Sequence, residues 1–282
     1  MPTDNWQAAL AAAKRLALRF PGVTGVDYGY RYHAGARTAQ LCVRFHVLRK
    51  LPLDALRPHE VLPAEIGAVA CDVVQARYAP RASAWTHLDP VQSGANKDKA
   101  ARRSANTLGA IVREAGSGRL CLLNNWHVLC GAGASLERQL DLGQGYDAAI
   151  AMLSAGVGGS MRDIGVRIDG VEEPRLGLAL LKSGAASGVT RALVDGIEGT
   201  FELDYGGYGD QKRRMDGCRL ISDPNPTDEI GAAGEASAVW INPATQRAVA
   251  LHFAGEDGAA ATGVYAVAHP ISRILNLLDL TL

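Results

Sequence analysis

The chain has 282 residues, 48% of them apolar and 21% charged, with 29 basic residues balanced by 29 acidic ones. That is the composition of a globular protein of one large domain or two modest ones. Zero net charge argues against a nucleic-acid or membrane-surface binder, which needs a basic excess, and no apolar run approaches the ~20 residues of a membrane-spanning helix.

In chain order, the Ala/Leu-rich stretch Ala8–Leu18 is interrupted by Lys14 and Arg15 and closed by Arg19. Those charges suit one face of an amphipathic helix over about 5–20 rather than a secretory leader. Strands are expected at Val23–Tyr32 and Gln40–Leu48. In the second, Leu41, Val43, Phe45 and Val47 share one face and Cys42, Arg44 and His46 the other. A short helical turn after Pro52 and a strand over Val69–Ala76 complete an α+β domain, residues 1–82. Residues 83–106 read as a linker, because Ser93–Ser104 is polar, basic and nearly without large apolar side chains. Its Lys97–Arg103 run is either a solvated loop or a place where the chain is nicked.

From Thr107 the pattern becomes short apolar runs between glycine-rich turns: Leu108–Arg113, Leu120–Leu123, Ile164–Ile168, Leu178–Leu181, Ala192–Ile197, Ala238–Ile241, Ala248–Phe253 and Val264–Val267. Such spacing predicts a barrel or sandwich over 107–282. His269–Leu282 is expected as a C-terminal helix with Ile271, Ile274, Leu275 and Leu278 on one face. Lys212-Arg213-Arg214 reads as a solvated loop. Gly131-Ala132-Gly133 and Gly156–Gly159 lack the strand–helix context and lysine of a nucleotide loop. Five cysteines without CxxC spacing suggest neither a disulfide framework nor a metal site. Cys121 and Cys130 are expected to be buried thiols, and the whole to be cytoplasmic and free of cofactors.

Three stretches carry chemistry. His127 follows an apolar strand and enters a short helical turn, the rigid perch that a general base needs; alone it would read as a structural histidine. Asp147 opens the small-sided apolar run Ala148–Ala151, where a carboxylate needs a partner, either His127 or, as an N-cap, a helix. Gly234-Glu235-Ala236-Ser237 precedes a strand, and its Gly234 and Ala236 amides could form an oxyanion hole. The chain order His, Asp, nucleophile separates one fold carrying this triad from the others.

On these residues the chain resembles the chymotrypsin-like serine peptidases, in particular a bacterial branch with an N-terminal α+β domain. Thr107-Leu108-Gly109 is similar to the family's first barrel strand, and Asn125-Trp126-His127-Val128 to its His motif. Asp147-Ala148-Ala149-Ile150 is similar to its Asp motif, and Lys182-Ser183-Gly184 with Ser187-Gly188-Val189-Thr190 to a mid-barrel strand pair. Ala250–Gly255 is similar to the strand that runs beside substrate, and Val23–Tyr78 to the branch's N-terminal region. The resemblance implies a mainly β double barrel preceded by a small α+β domain and followed by a helix. It implies a protein or peptide substrate lying against His252, Phe253 and Ala254, with Asp228, Glu229 and Ile230 near the primary pocket. Because an endopeptidase is dangerous in the cytoplasm, restricted substrates and regulation by the N-terminal domain or a partner protein are expected.

Three departures stand out. His127 and Asp147 are only 20 positions apart (147 − 127), so a loop is trimmed. Glu235 replaces the usual aspartate. Ala236 stands where the nucleophilic serine is expected, and Ser237 where the next glycine is. Either a serine has been replaced by alanine in an endopeptidase, or the chain is a natural pseudoprotease that binds peptide or protein, or the nucleophile has moved to Ser237.

Overall fold

The computed structural model describes residues 5–81, 107–131, 136–140, 142–153, 161, 163–205, 212–223, 229–257 and 263–282. The expected nicking run Lys97–Arg103, the two glycine runs from Ala132 and Gly156 onward, and Asp228 lie outside these residues.

Helix α1 (Asn5–Ala17) buries Ala9, Leu10, Ala13 and Ala17, one face at helical spacing. Lys14 and Arg15 sit in its last turn, where cations complement the helix dipole. The face packs on strands β1 (Val23–His33) and β2 (Ala36–Val47), which pair antiparallel. Val26, Val43 and Phe45 join α1 in one apolar cluster. After two short 3-10 turns, β3 (Glu65–Ile66) leads to β4 (Val69–Gln75), which lies parallel to β2. The three-residue β5 (Tyr78–Pro80) follows two residues later.

The rest of the chain is mainly β, in two sheets. One runs through β6 (Ala110–Glu114), β7 (Leu120–Asn124), β8 (Leu136–Gln139) and β9 (Ala149–Met152), with helix α2 (Trp126–Gly131) between β7 and β8. The other contains β10 (Ala179–Gly184), β11 (Gly188–Asp204), β12 (Lys212–Ser222), β13 (Val239–Asn242), β14 (Arg247–Glu256) and β15 (Tyr265–Pro270). Each of these six pairs with two others in the ring β10-β13-β14-β15-β12-β11, and β10 also pairs with β11, so the strands close into a barrel. Leu180, Val194, Leu220, Trp240 and Ala266 cluster among its buried residues. Burying each large side chain of this kind stabilises by roughly 1.5–3 kcal/mol.

Strand β11 is 17 residues long. Its first half belongs to the barrel, and its second half pairs with β1 from Gly25↔Phe201 to Gly29↔Gly196. Register shifts around Gly196 accompany the change of partner, as bulges do when they bend a strand. The N-terminal strands thus continue the barrel's sheet.

Helix α3 (Ile271–Leu277) buries Ile271, Ile274 and Leu275 as the pattern predicts, and Leu278 is buried beyond it. The helix is shorter than expected. Asp279 takes a left-handed φ of 53°, the chain reverses, and β16 (Leu280–Thr281) pairs with β6. One core cluster therefore joins Val112, Leu123 and Ile150 to Val239, Leu251 and Ile274, across both sheets.

Three further expectations are corrected. Ile164–Ile168 is not a strand: left-handed Asp163 (φ 60°) and Gly165 (φ 70°) break it, and its apolar residues pack on the core as irregular chain. Lys212-Arg213-Arg214 opens β12, with Lys212 Nζ 2.9 Å from Glu202. Cys130 is exposed near the end of α2, whereas Cys121 is buried as expected.

Candidate active site

The site is built on the end of β7, the first turn of α2 and the chain entering β9. Asn125 anchors it: its side-chain amide donates to the Asp147 carbonyl at 2.8 Å. The His127 backbone amide donates to Asp147 Oδ1 at 3.0 Å, and Nδ1 of the His127 ring is hydrogen-bonded to Asp147 Oδ2. His127 and Asp147 are fully buried. Asp147 therefore faces both the His127 ring and a first-turn amide of α2, and it does not open a helix of its own.

Two further side chains hold Asp147. Tyr205, at the end of β11, donates its hydroxyl to Oδ2 at 2.9 Å. The Asp147 amide donates to His269 Nε2 at 3.1 Å, and the other ring nitrogen, Nδ1, donates to the Asp216 carbonyl at 2.6 Å. Burial alone would raise the Asp147 carboxyl, but the adjoining His127 ring and its two hydrogen bonds hold it below the usual carboxylate range. The same burial raises the Tyr205 phenol well above its ordinary value, and the Asp147 charge adds to this, so the phenol stays a donor. Nothing in the sequence marked Tyr205 or His269; both reach Asp147 only because β11 and β15 adjoin the first sheet.

The Gly234–Ser237 turn lies in front of β13. Gly234 takes a φ of 93°, where a side chain is strained, and its carbonyl accepts from the Thr107 amide at 3.1 Å and hydroxyl at 2.9 Å. Glu235 is fully buried. Its carboxylate pairs with Lys182 Nζ and accepts from the amides of Ala186 and Ser187 at 2.9 and 2.8 Å. Lys182 is also bonded to the Ser187 hydroxyl at 3.0 Å. Ser237 takes a φ of 77°; its hydroxyl accepts from the Asn125 amide at 2.9 Å and donates to Asn125 Oδ1 at 3.0 Å. The turn that carries Ala236 is thereby tied to the segment that carries His127.

The amides of Gly234 and Ala236 converge on one oxygen. They donate at 2.8 and 3.2 Å to the carbonyl of Arg81, the residue after β5. Two fixed donors on a single carbonyl are the geometry that stabilises a developing oxyanion.

The other residues singled out from sequence occupy different places. Ala254 pairs with Pro80 of β5, and the Phe253 carbonyl accepts from the Arg81 amide at 3.1 Å. The Phe253 ring stacks on His269, with centroids 3.7 Å apart. His252 is buried against Trp240, whose indole donates to its Nδ1 at 3.3 Å. Ile230 is buried in the barrel cluster, its amide bonded to the Gly263 carbonyl at 2.8 Å.

No family model and no curated protein matches the chain. Solved structures do. Thermobifida fusca protease A is 14% identical, with a TM-score of 0.49 over 68% of this chain and 98% of that one. Cellulomonas bogoriensis chymotrypsin is 18% identical, with a TM-score of 0.47 over 69% and 98%. A Nocardiopsis protease is 15% identical, with a TM-score of 0.46 over 62% and 90%. The solved structures that this chain resembles are bacterial serine proteases of the chymotrypsin-like fold.

Proposed function

We propose that this chain is an inactivated form of a serine endopeptidase, with alanine at the nucleophile position. The observation that carries the reading is the placing of one peptide carbonyl between the Gly234 and Ala236 amides, in a site that also holds a buried His127–Asp147 pair. Any one of these occurs in structural settings; here the segments that carry them are joined through the Asn125–Ser237 hydrogen bonds, and together they are the parts that acyl transfer requires.

The division of labour follows from the contacts. With serine at position 236, the hydroxyl attacks the carbonyl and His127 takes its proton. Asp147, held by Tyr205 and Asn125, keeps the proton on Nδ1 of the ring so that the other nitrogen is the base. The amides bind the oxyanion, and they are backbone groups that an alanine leaves in place. With alanine there is no attacking oxygen, and binding with the oxyanion hole alone leaves roughly 10³–10⁴-fold over water. The chain as it stands is a peptide holder with almost no turnover.

Ser237 does not fit as a displaced nucleophile, because both roles of its hydroxyl are used on Asn125. The substrate is an extended stretch of protein added as a strand to β14. The cysteines are free among the described residues, four of them buried, which suits the reducing interior of a cell.

The test is Ala236→Ser treated with a fluorophosphonate probe, beside the chain as given and a double variant that adds His127→Ala. Labelling of the serine variant alone is expected. Equal labelling with and without His127 would defeat the reading, and no labelling even after Arg81→Gly loosens the strand in the cleft would favour a module that only binds.

A further inference from the structure

The carbonyl in the oxyanion position belongs to the chain itself. Upstream of Arg81, β5 runs antiparallel to β14, with Pro80, Ala79 and Tyr78 opposite Ala254, Gly255 and Glu256. The Arg81 amide extends this ladder to the Phe253 carbonyl at 3.1 Å. Four consecutive residues thus lie as an added strand that ends at the position where a bond would be cut.

The side chains at both ends of the segment sit against the cleft, Arg81 half-buried and Tyr78 buried. A Cβ on Gly255 would come within 2.5 Å of Arg81 Nε and 2.7 Å of the Gly231 carbonyl, so only glycine leaves a way past for the guanidinium. Burial pulls that guanidinium below its ordinary value, and the carboxylates of Asp257, Glu229 and Glu256 oppose the pull. These three carboxylates thus act on the guanidinium charge from a distance, and Nε makes no hydrogen bond among the described residues. At the other end Tyr78 is buried, with its hydroxyl 3.0 Å from Arg219 Nε and 3.1 Å from His46 Nδ1. These two belong to a buried charge network. Arg44 is bonded to Asp27 and to Asp195 at 2.7 Å each, His46 Nε2 lies 3.0 Å from Asp27, and Arg219 pairs with Asp195 at 2.5 Å. The network spans β1, β2, β11 and β12, so the N-terminal strands and the barrel together aim Tyr78.

We propose that Tyr78–Arg81 is this protease's own substrate: with serine at position 236, each chain cuts its own peptide bond between Arg81 and Ala82, and the cleft selects arginine on the amino side of the cut. This rests on the endopeptidase reading above. The serine oxygen bonds to the Arg81 carbonyl carbon as His127 takes the proton. The bond to the Ala82 nitrogen then breaks, and that nitrogen leaves with the proton from His127. Water, giving a proton to His127, hydrolyses the ester, which frees the Arg81 carboxylate and restores the serine. The products are residues 1–81 and 82–282. The first stays docked, because the β1–β11 pairing and the charge network survive the cut.

The test uses the full chain carrying Ala236→Ser, followed by intact mass under denaturing conditions and N-terminal sequencing. The expected result is a new N-terminus at Ala82, formed at a rate unchanged over a 100-fold dilution, as a cut within one chain requires. Adding Arg81→Gly should slow the cut by on the order of 100-fold, since a misplaced reacting group costs that much, and adding His127→Ala should abolish it. Both double variants, and the triple variant that combines their changes, also receive the fluorophosphonate probe. If Ala236→Ser stays whole while the Arg81→Gly double variant labels in a His127-dependent way, the cleft is a working protease plugged by its own strand, and self-cleavage is wrong. A cut elsewhere, such as within Lys97–Arg103, or a rate proportional to concentration, also overturns it. Neither cutting nor labelling brings down this inference and the endopeptidase reading together.

Discussion

Lys182 and Glu235, 53 positions apart, meet as a fully buried ion pair behind the turn that carries the oxyanion-hole amides. Burial pulls the Lys182 ammonium below its ordinary value, and the Glu235 charge opposes that pull. Removing one partner leaves an uncompensated buried charge, whereas removing both does not. Lys182→Met is therefore expected to cost about 3–5 kcal/mol, with the double variant Lys182→Met/Glu235→Gln recovering most of it. Urea unfolding of the three proteins checks this; equal losses in single and double variants would contradict it.

Tyr205 acts on catalysis only through Asp147. Tyr205→Phe removes a single donor to a buried carboxylate, a change of about 1–3 kcal/mol. In the Ala236→Ser background, His127-dependent probe labelling should slow by roughly 10-fold. The acid limb of its pH profile should shift upward, because the Asp147 carboxylate has lost a hydrogen bond. A fall in rate without movement of the acid limb would point to a packing defect.

Burial holds the His269 imidazole down at about 4, against the pull of Asp147 and the Asp216 carbonyl. Unfolded, the same ring titrates near 6.5. Between those values the unfolded chain binds a proton that the folded chain refuses, so stability present above pH 6.5 is lost as pH falls toward 4. His269 accounts for on the order of 3 kcal/mol of that loss. Buried His46 and His252, both held below their ordinary value by burial, add to the slope in the same direction. His269→Gln should lower stability at pH 7 and flatten the decline between pH 7 and 5, read from urea midpoints at the two values. An unchanged decline would sink the assignment.

Arg44 is fully buried between Asp27 and Asp195, and burial alone would lower its guanidinium, yet the two carboxylates raise it above its ordinary value. Arg44→Met strands both acids and should cost about 3–5 kcal/mol. Because the network reaches Tyr78, the same variant in the Ala236→Ser background should also slow the cut after Arg81 more than it slows probe labelling. Parallel slowing of both would mean that Arg44 acts on the barrel as a whole.

The helices were legible in the sequence because each makes its own pattern: Ala9, Leu10, Ala13 and Ala17 on α1, and Ile271, Ile274 and Leu275 on α3, repeat at helical spacing. His127 and Asp147 were legible through chain order and their apolar flanks. Partners brought in by distant pairing were not. Tyr205 lies 58 positions from Asp147 and His269 lies 122 from it, with nothing local to mark either. Strand β5 is three residues long and ends in proline, and its ladder partner β14 comes some 170 positions later (254 − 80 = 174 for one pair), so nothing local marks it as a strand. One further signal is present in the sequence. Arg44 and His46 alternate with Val43, Phe45 and Val47, and that second face is buried too, against the barrel strands, where its charges had to find partners.

Only two residues, Ala76 and Arg77, separate β4 from β5, so the peptide in the cleft is held on a very short leash. Tethers of this kind present their ligand at an effective concentration in the millimolar range. Any peptide supplied from outside competes against that local supply, and where the tethered strand itself binds with micromolar strength the outside peptide loses roughly 1,000-fold in apparent affinity. Screens for substrates or inhibitors run on the intact chain will therefore report weak ligands or none, whatever the cleft prefers. Loosening the leash, by substituting Arg81 or breaking Tyr78 from its network, is the way to let the cleft choose among other chains.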